Sequence, residues 1–215
     1  MEAAPDSNPD QWSVMTLEQP TSGDLARGLR ADAQSNRDRV LEAAARLFQT
    51  EGADTSLKAI AKEAGVGIGT LYRRFPTREA LIEATYRTES AKLAAAASTL
   101  VTTLPPVAAL RTWMELFTDY MATKHGMADA LRAVLTSGGD LRMQTRDLMQ
   151  QAVAELMAAG VATDELRSDL DPDDVLLAMG GVSMITGTAE QRTQAARMLD
   201  LLLDGVKQPS TPASR

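Results

Sequence analysis

Apolar residues recur at helical spacing along most of the chain, and the first clear run follows Arg37. Val40, Leu41, Ala44, Leu47 and Phe48 share one face of a helix that Gly52 ends. Ser56 stands as an N-cap ahead of Leu57, Ile60, Ala61 and Ala64, which face one way in a short second helix stopping at Gly65. Val66 and Gly67 form a turn, and a third short helix runs from about Ile68 to Phe75, where Pro76 closes it. Thr77 caps a fourth, Ala-rich helix from Arg78 to about Ser98, and Pro105 and Pro106 separate it from a segment over Val107–Tyr120. Further helices are expected at about Ala122–Leu135, Asp140–Ala159, Asp173–Ile185 and Ala189–Val206, with Gly138, Gly139, Gly160 and Gly187 as punctuation. Residues 1–34 hold three prolines and no sustained periodicity, so they read as a mobile arm, with Met15 as an alternative start. Residues 208–215 read as a frayed tail.

Composition supports an all-α fold: 44% of the 215 residues are apolar, only 4% are aromatic, and Ala, Leu and Met dominate over β-branched runs. The absence of cysteine excludes disulfides and thiolate metal sites, and a single His argues against a zinc centre. The acidic start of the chain lacks the basic and apolar regions of a secretory signal, and the longest apolar run, Val175–Ala189, is too short and Gly-rich to span a bilayer. A cytoplasmic protein with no membrane partner is the expectation. The net charge of −7 alone would disfavour a nucleic-acid partner, but its distribution reverses that inference. Ser35–Thr88 carries nine basic and seven acidic residues, whereas the segments before and after it are net −4 and −5.

That segment contains the chain's most informative pattern. Over Ser56–Arg78, a short helix, a turn on Gly65 and a second short helix have helix-turn-helix spacing. Ala61, Ala64 and Gly65 are small where the helices cross, and Val66 and Leu71 supply an apolar plug. The outward face then offers Thr70, Tyr72, Arg73 and Arg74, whose hydroxyl and guanidinium groups suit phosphates and base edges in a major groove. One of Arg73 and Arg74 is expected at bases and the other over the backbone; the sequence leaves open which. Gly67 and Gly69 permit close approach and leave amide donors open at the helix start. Ser56, Lys58 and Arg78 are placed for flanking phosphates. A plain helical corner, or an interaction module without DNA, would give these cations no reason to cluster on one face.

Gly65, Val66, Gly67, Gly69, Thr70, Leu71, Tyr72 and Phe75, followed by Arg78, Glu79, Ala80 and Leu81, resemble the signature of TetR-type regulators. The resemblance covers about Arg37–Tyr86, and the remainder is similar in length and helical layout, including Ala122–Gly126. It implies an N-terminal three-helix DNA-binding domain (35–95) and a helical effector-binding and dimerisation domain (96–207). It also implies a homodimer packed through the last two long helices, an unknown small-molecule effector, and most often repression. Carried over by position, the implied DNA contacts are Ser56, Lys58, Ile68, Thr70, Tyr72, Arg73, Arg74 and Arg78. Gly67 departs from the family's common Ser, which weakens the cap, and Arg78 replaces a commoner Lys.

Trp113, Met114, Phe117, Tyr120 and Met121 form a helical stripe that either lines a ligand pocket, with Met143, Met149, Met179 and Met184 from other helices, or fills plain core. His125 reads as a helix-end residue, and Asp169, Asp171, Asp173 and Asp174 around Pro172 as a charged helix start, so no metal or cofactor is expected. No nucleophile, base and orienter set is present, which disfavours an enzyme. Val175, Leu176, Met179, Val182, Ile185, Leu199, Leu202, Leu203 and Val206 give two helices more apolar surface than one body is expected to bury, with Gly180, Gly181 and Ser183 allowing close packing. Two-fold pairing predicts a palindromic double-stranded operator with half-sites on the order of 35 Å apart.

Overall fold

The computed structural model describes residues 22–52, 54–137, 140–185 and 189–209. Nine helices are present among them: α1 (Ser22–Glu51), α2 (Leu57–Glu63), α3 (Ile68–Arg74), α4 (Arg78–Thr103), α5 (Pro106–Gly126), α6 (Ala128–Ser137), α7 (Leu141–Ala162), α8 (Pro172–Ser183) and α9 (Ala189–Val206). The chain divides after Ser35, and Asn36 onward forms one compact unit. The described residues are all-α; an isolated bridge joins Leu166 and Lys207.

Helix ends follow local chemistry. Ser56 Oγ accepts from the Ala59 amide at 3.1 Å and Thr77 Oγ1 from the Ala80 amide at 3.1 Å, so both expected caps are made. Asp171 caps α8 by accepting from the Asp173 amide at 2.9 Å, with Pro172 in the first turn. Asp169 forms a two-pronged pair with Arg167, at 2.7 and 2.9 Å. The aspartate run therefore divides into a cap, a first-turn pair and an ion pair.

Several boundaries differ from the sequence reading. Helix α1 begins at Ser22, inside the segment read as an arm, because Leu25–Gln34 is rich in helix formers even without an apolar stripe. Residues 1–21 lie outside the described part. Helix α4 continues past Ser98 to Thr103, crossing the expected boundary between residues 95 and 96 without a break; Leu104, before Pro105, is extended. No interruption separates Tyr120 from Ala122: α5 runs to Gly126, and the break falls at Met127. Gly160 is not punctuation but an internal residue of α7, where a Cβ would collide with the Leu166 side chain. Gly138, Gly139 and Gly187 lie outside the described residues. Beyond α9, Gln208 donates to the Glu165 carbonyl at 2.9 Å, fastening the start of the segment read as frayed.

One apolar core runs from Val40, Leu41 and Phe48 of α1 through Ile60, Leu71, Leu81 and Tyr86 to Trp113, Leu156, Met179 and Leu203. Helix α4 is its spine, packing most extensively on α5 and α7. Trp113 donates its indole N–H to the Leu93 carbonyl at 2.9 Å, which satisfies the polar end of the largest fully buried side chain.

Candidate nucleic-acid interface and ligand cavity

The turn between α2 and α3 has a specific geometry. Gly65 adopts φ +64°, the Val66 amide donates to the Ala61 carbonyl at 3.0 Å, and the Gly65 amide to Lys62 at 3.1 Å. These paired bonds form the Schellman closure, which favours a residue without Cβ at the left-handed position. Helix α3 is seven residues long, too short to stand on propensity alone. Its inward residues fix it: Leu71 and Phe75 are buried against Ile60, Ala61 and Ala64, with Val66 partly buried beside them.

Anchoring Leu71 turns its neighbours outward. Tyr72 is 50% exposed, Ile68, Gly69, Arg73 and Arg74 are exposed, and Thr70 is half-buried. Arg73 Nη2 donates to Thr70 Oγ1 at 3.3 Å, and neither it, Arg74 nor the exposed Lys58 has a carboxylate partner among the described residues. Gly67 precedes α3 in extended conformation with no side-chain cap, as its departure from Ser implied. Ser56 uses a lone pair for capping and keeps its hydroxyl proton to donate.

Arg78, expected near a flanking phosphate, is also engaged within the fold. Its Nη1 donates to the Thr55 carbonyl at 2.7 Å, and its guanidinium lies over the Phe48 ring, 5.8 Å from the centroid. The residue thereby ties the start of α4 to the end of α1 and the approach to α2.

Of the expected pocket residues, Trp113, Met114 and Met179 are fully buried in the core, because their faces of α5 and α8 turn into the helical layers. Met143 is 60% exposed, on the face of α7 opposite the buried Leu141 and Thr145. Phe117 and Met121 do line a cavity of about 240 Å³, together with Met149 and with Tyr120 from the same stripe. Tyr86 of α4, Leu176 of α8, and Lys124, Arg142, Thr145 and Arg146 complete its wall and were not expected there from the sequence, which assigns Leu176 to the dimer face. The signal for the α7 group was present: Arg142, Thr145, Arg146 and Met149 fall at i, i+3, i+4 and i+7. Ser90 Oγ donates to the Tyr86 carbonyl at 2.7 Å and lies 3.1 Å from the Tyr120 hydroxyl. Burial, reinforced by Tyr86, pushes the Tyr120 phenol far above its ordinary range, so it stays protonated.

Comparison with known proteins decides what this arrangement belongs to. Residues 40–85 match the family described as bacterial regulatory proteins, tetR family, and residues 105–208 the C-terminal domain of SbtR-like transcriptional regulators. The solved TetR transcriptional regulator SCO0520 of Streptomyces coelicolor is 51% identical, with a TM-score of 0.76 over 81% of this chain and 99% of its own. This chain belongs to the TetR family.

A TetR transcription regulatory protein of Mycobacterium vanbaalenii is 30% identical, with a TM-score of 0.67 over 83% of this chain and 99% of that one. An HTH-type transcriptional regulator of Staphylococcus aureus is 48% identical over 54 residues; that match spans 25% of this chain and 29% of the staphylococcal protein. The chain is accordingly a DNA-binding transcriptional regulator with an N-terminal helix-turn-helix and a helical C-terminal domain. Among the described residues, no helix of this TetR-family regulator is long and apolar enough to cross a membrane.

Proposed function

We propose that the protein is a homodimeric repressor that holds a palindromic operator through α3 and leaves it when a small molecule occupies the cavity between α4, α5, α7 and α8. The observation that carries the DNA reading is the outward face of α3: Tyr72, Arg73 and Arg74 stand exposed, without carboxylate partners among the described residues, while Leu71 and Phe75 hold the helix in place. Thr70, Tyr72, Arg73 and Arg74 contact the major groove, and Ile68 supplies apolar contact. Gly67 and Gly69 allow close approach, and Ser56 and Lys58 bind flanking phosphate. Arg78 acts mainly through Thr55 and Phe48, setting the angle at which α2 and α3 meet the duplex. Such a regulator works with the DNA in the cytoplasm.

The dimer reading rests on α8 and α9, but not on the residues first named for it. Val175, Met179, Val182, Leu199, Leu203 and Val206 are buried within one chain, and Leu176, Ile185 and Leu202 pack partly against the same core. The apolar surface left over belongs to Leu177, Met184, Met198 and Leu201, with Leu177 75% and Leu201 72% exposed. Gly180, Gly181 and Gly205 have open space where a Cβ would stand, which admits a helix from a second copy.

Cavity and reading head share elements. Helix α5 carries Phe117, Met121 and Lys124 into the cavity and ends at Gly126, where a Cβ would fall inside the Phe48 carbonyl. Phe48 lies under Arg78, which holds Thr55 just before α2. A shift of α5 on filling the cavity therefore reaches the helix-turn-helix through packed groups. For a near-complete release the effector must favour the released state by roughly 5 kcal/mol. The test is selection of duplexes from a random pool by the full chain. Recovery of an inverted repeat supports the reading; recovery of no enriched site, or of a single unpaired half-site, refutes it.

A further inference from the structure

Three cations surround the cavity between α4, α5, α7 and α8: Lys124 near the end of α5, and Arg142 and Arg146 on successive turns of α7. No Asp or Glu lines it, and none of the three cations has an ion-pair partner among the described residues. Elsewhere this acidic protein pairs cations repeatedly, as in Arg46–Glu63, Arg111–Asp200 and Arg167–Asp169. Gathering three like charges around one cavity, two of them at i, i+4, raises the free energy of the empty site through mutual repulsion. A bound anion removes that repulsion and gains charge-assisted hydrogen bonds, with arginine suited to gripping carboxylate or phosphate through two N–H groups.

The lining is also apolar in part. Phe117 and Met121 of α5, Met149 of α7 and Leu176 of α8 face the same space, and Met side chains adapt to irregular partners. Thr145, on α7 between Arg142 and Met149 in sequence, lines the same space. At about 240 Å³ the cavity lies below the roughly 300–1,000 Å³ typical of drug-sized ligands, so it suits a short body.

We propose that this cavity takes a small amphipathic anion, with its acid group held by Lys124, Arg142 and Arg146 and its aryl or short alkyl body laid against Phe117, Met121 and Leu176. The inference rests on the cavity being the effector site and specifies the chemistry of that effector. A neutral ligand of the same shape forfeits the charged contacts, and a cationic one is repelled.

The test is calorimetric titration of the full-length protein with four acids: benzoate, 4-phenylbutyrate, octanoate and phenyl phosphate. The amide and amine counterparts of 4-phenylbutyrate serve as neutral and cationic probes. At least one acid is expected to bind saturably, and 4-phenylbutyramide to bind about tenfold or more weaker than 4-phenylbutyrate. The double variant Arg142→Gln/Arg146→Gln loses most of the acid's affinity and its preference over the amide; if that variant melts early, Lys124→Gln alone carries the same expectation in smaller measure. Equal binding of acid, amide and amine overturns the proposal, as does the absence of saturable binding by all four acids. Each acid is also scored for displacing the protein from DNA. Acid-selective binding with DNA affinity unchanged supports the anion site while refuting its coupling to DNA. Displacement by the neutral probe as readily as by the acid does the reverse.

Discussion

Gly126 shows how one missing side chain joins two parts of the molecule. Its backbone passes so close to Phe48 that a methyl group would enter the Phe48 carbonyl, and neither backbone can yield independently. Gly126→Ala is therefore expected to cost about 1–3 kcal/mol, lowering the melting temperature by several degrees in a calorimetric scan. Gly67 presents the opposite case: its φ is negative, and the nearest obstacle to a Cβ is Thr70 Oγ1 at 3.9 Å. Gly67→Ser supplies the absent cap for α3, with a gain of a few tenths of a kcal/mol and tighter binding to duplex DNA in a filter assay. His125, one residue earlier than Gly126, has its pKa lowered from its ordinary value near 6.5, first by desolvation and then by Lys124. The folded state thus resists protonating it, and stability present above the ordinary pKa declines as pH falls through that value. Between pH 7.5 and 5.5 the melting temperature of His125→Gln should fall less than that of the unaltered protein.

At the scale of elements, what could be read in advance was what local chemistry dictates. Ser56, Thr77, Gly52 and Gly65 mark helix ends through caps and left-handed turns, so α2, α3 and the head of α4 stood out in the sequence. The junction of α5 and α6 did not, because the stretch after Tyr120 carries no breaker until Gly126 and the helix simply continues. The cavity was only half legible. Phe117 and Met121 lie on a visible stripe, but whether a stripe faces core or space depends on how far neighbouring helices stand apart, which periodicity does not encode. Helices α8 and α9 carry the same lesson: their regular apolar positions are satisfied within the chain, and the out-of-phase Leu177 and Leu201 remain. The variant Leu177→Glu/Leu201→Glu is expected to run as a monomer in multi-angle light scattering with its helicity intact. A dimeric mass for that variant would move the interface elsewhere.

For the whole molecule, charge and architecture act together. A chain of net charge −7 approaches a polyanion through a segment with a positive balance, so orientation is selected before contact and affinity depends steeply on salt. One apolar cluster extends from α1 to α9, and in the proposed mechanism a shift of α5 would pass to the reading head through Gly126, Phe48 and Arg78. The most direct measurement is fluorescence anisotropy of the full chain on its selected duplex across a salt series, compared with Arg73→Ala/Arg74→Ala. The affinity is expected to fall steeply with salt, and the variant to lose about a hundredfold with a shallower salt slope and unaltered dimer mass. Equal affinity of the two proteins at every salt concentration would contradict that expectation.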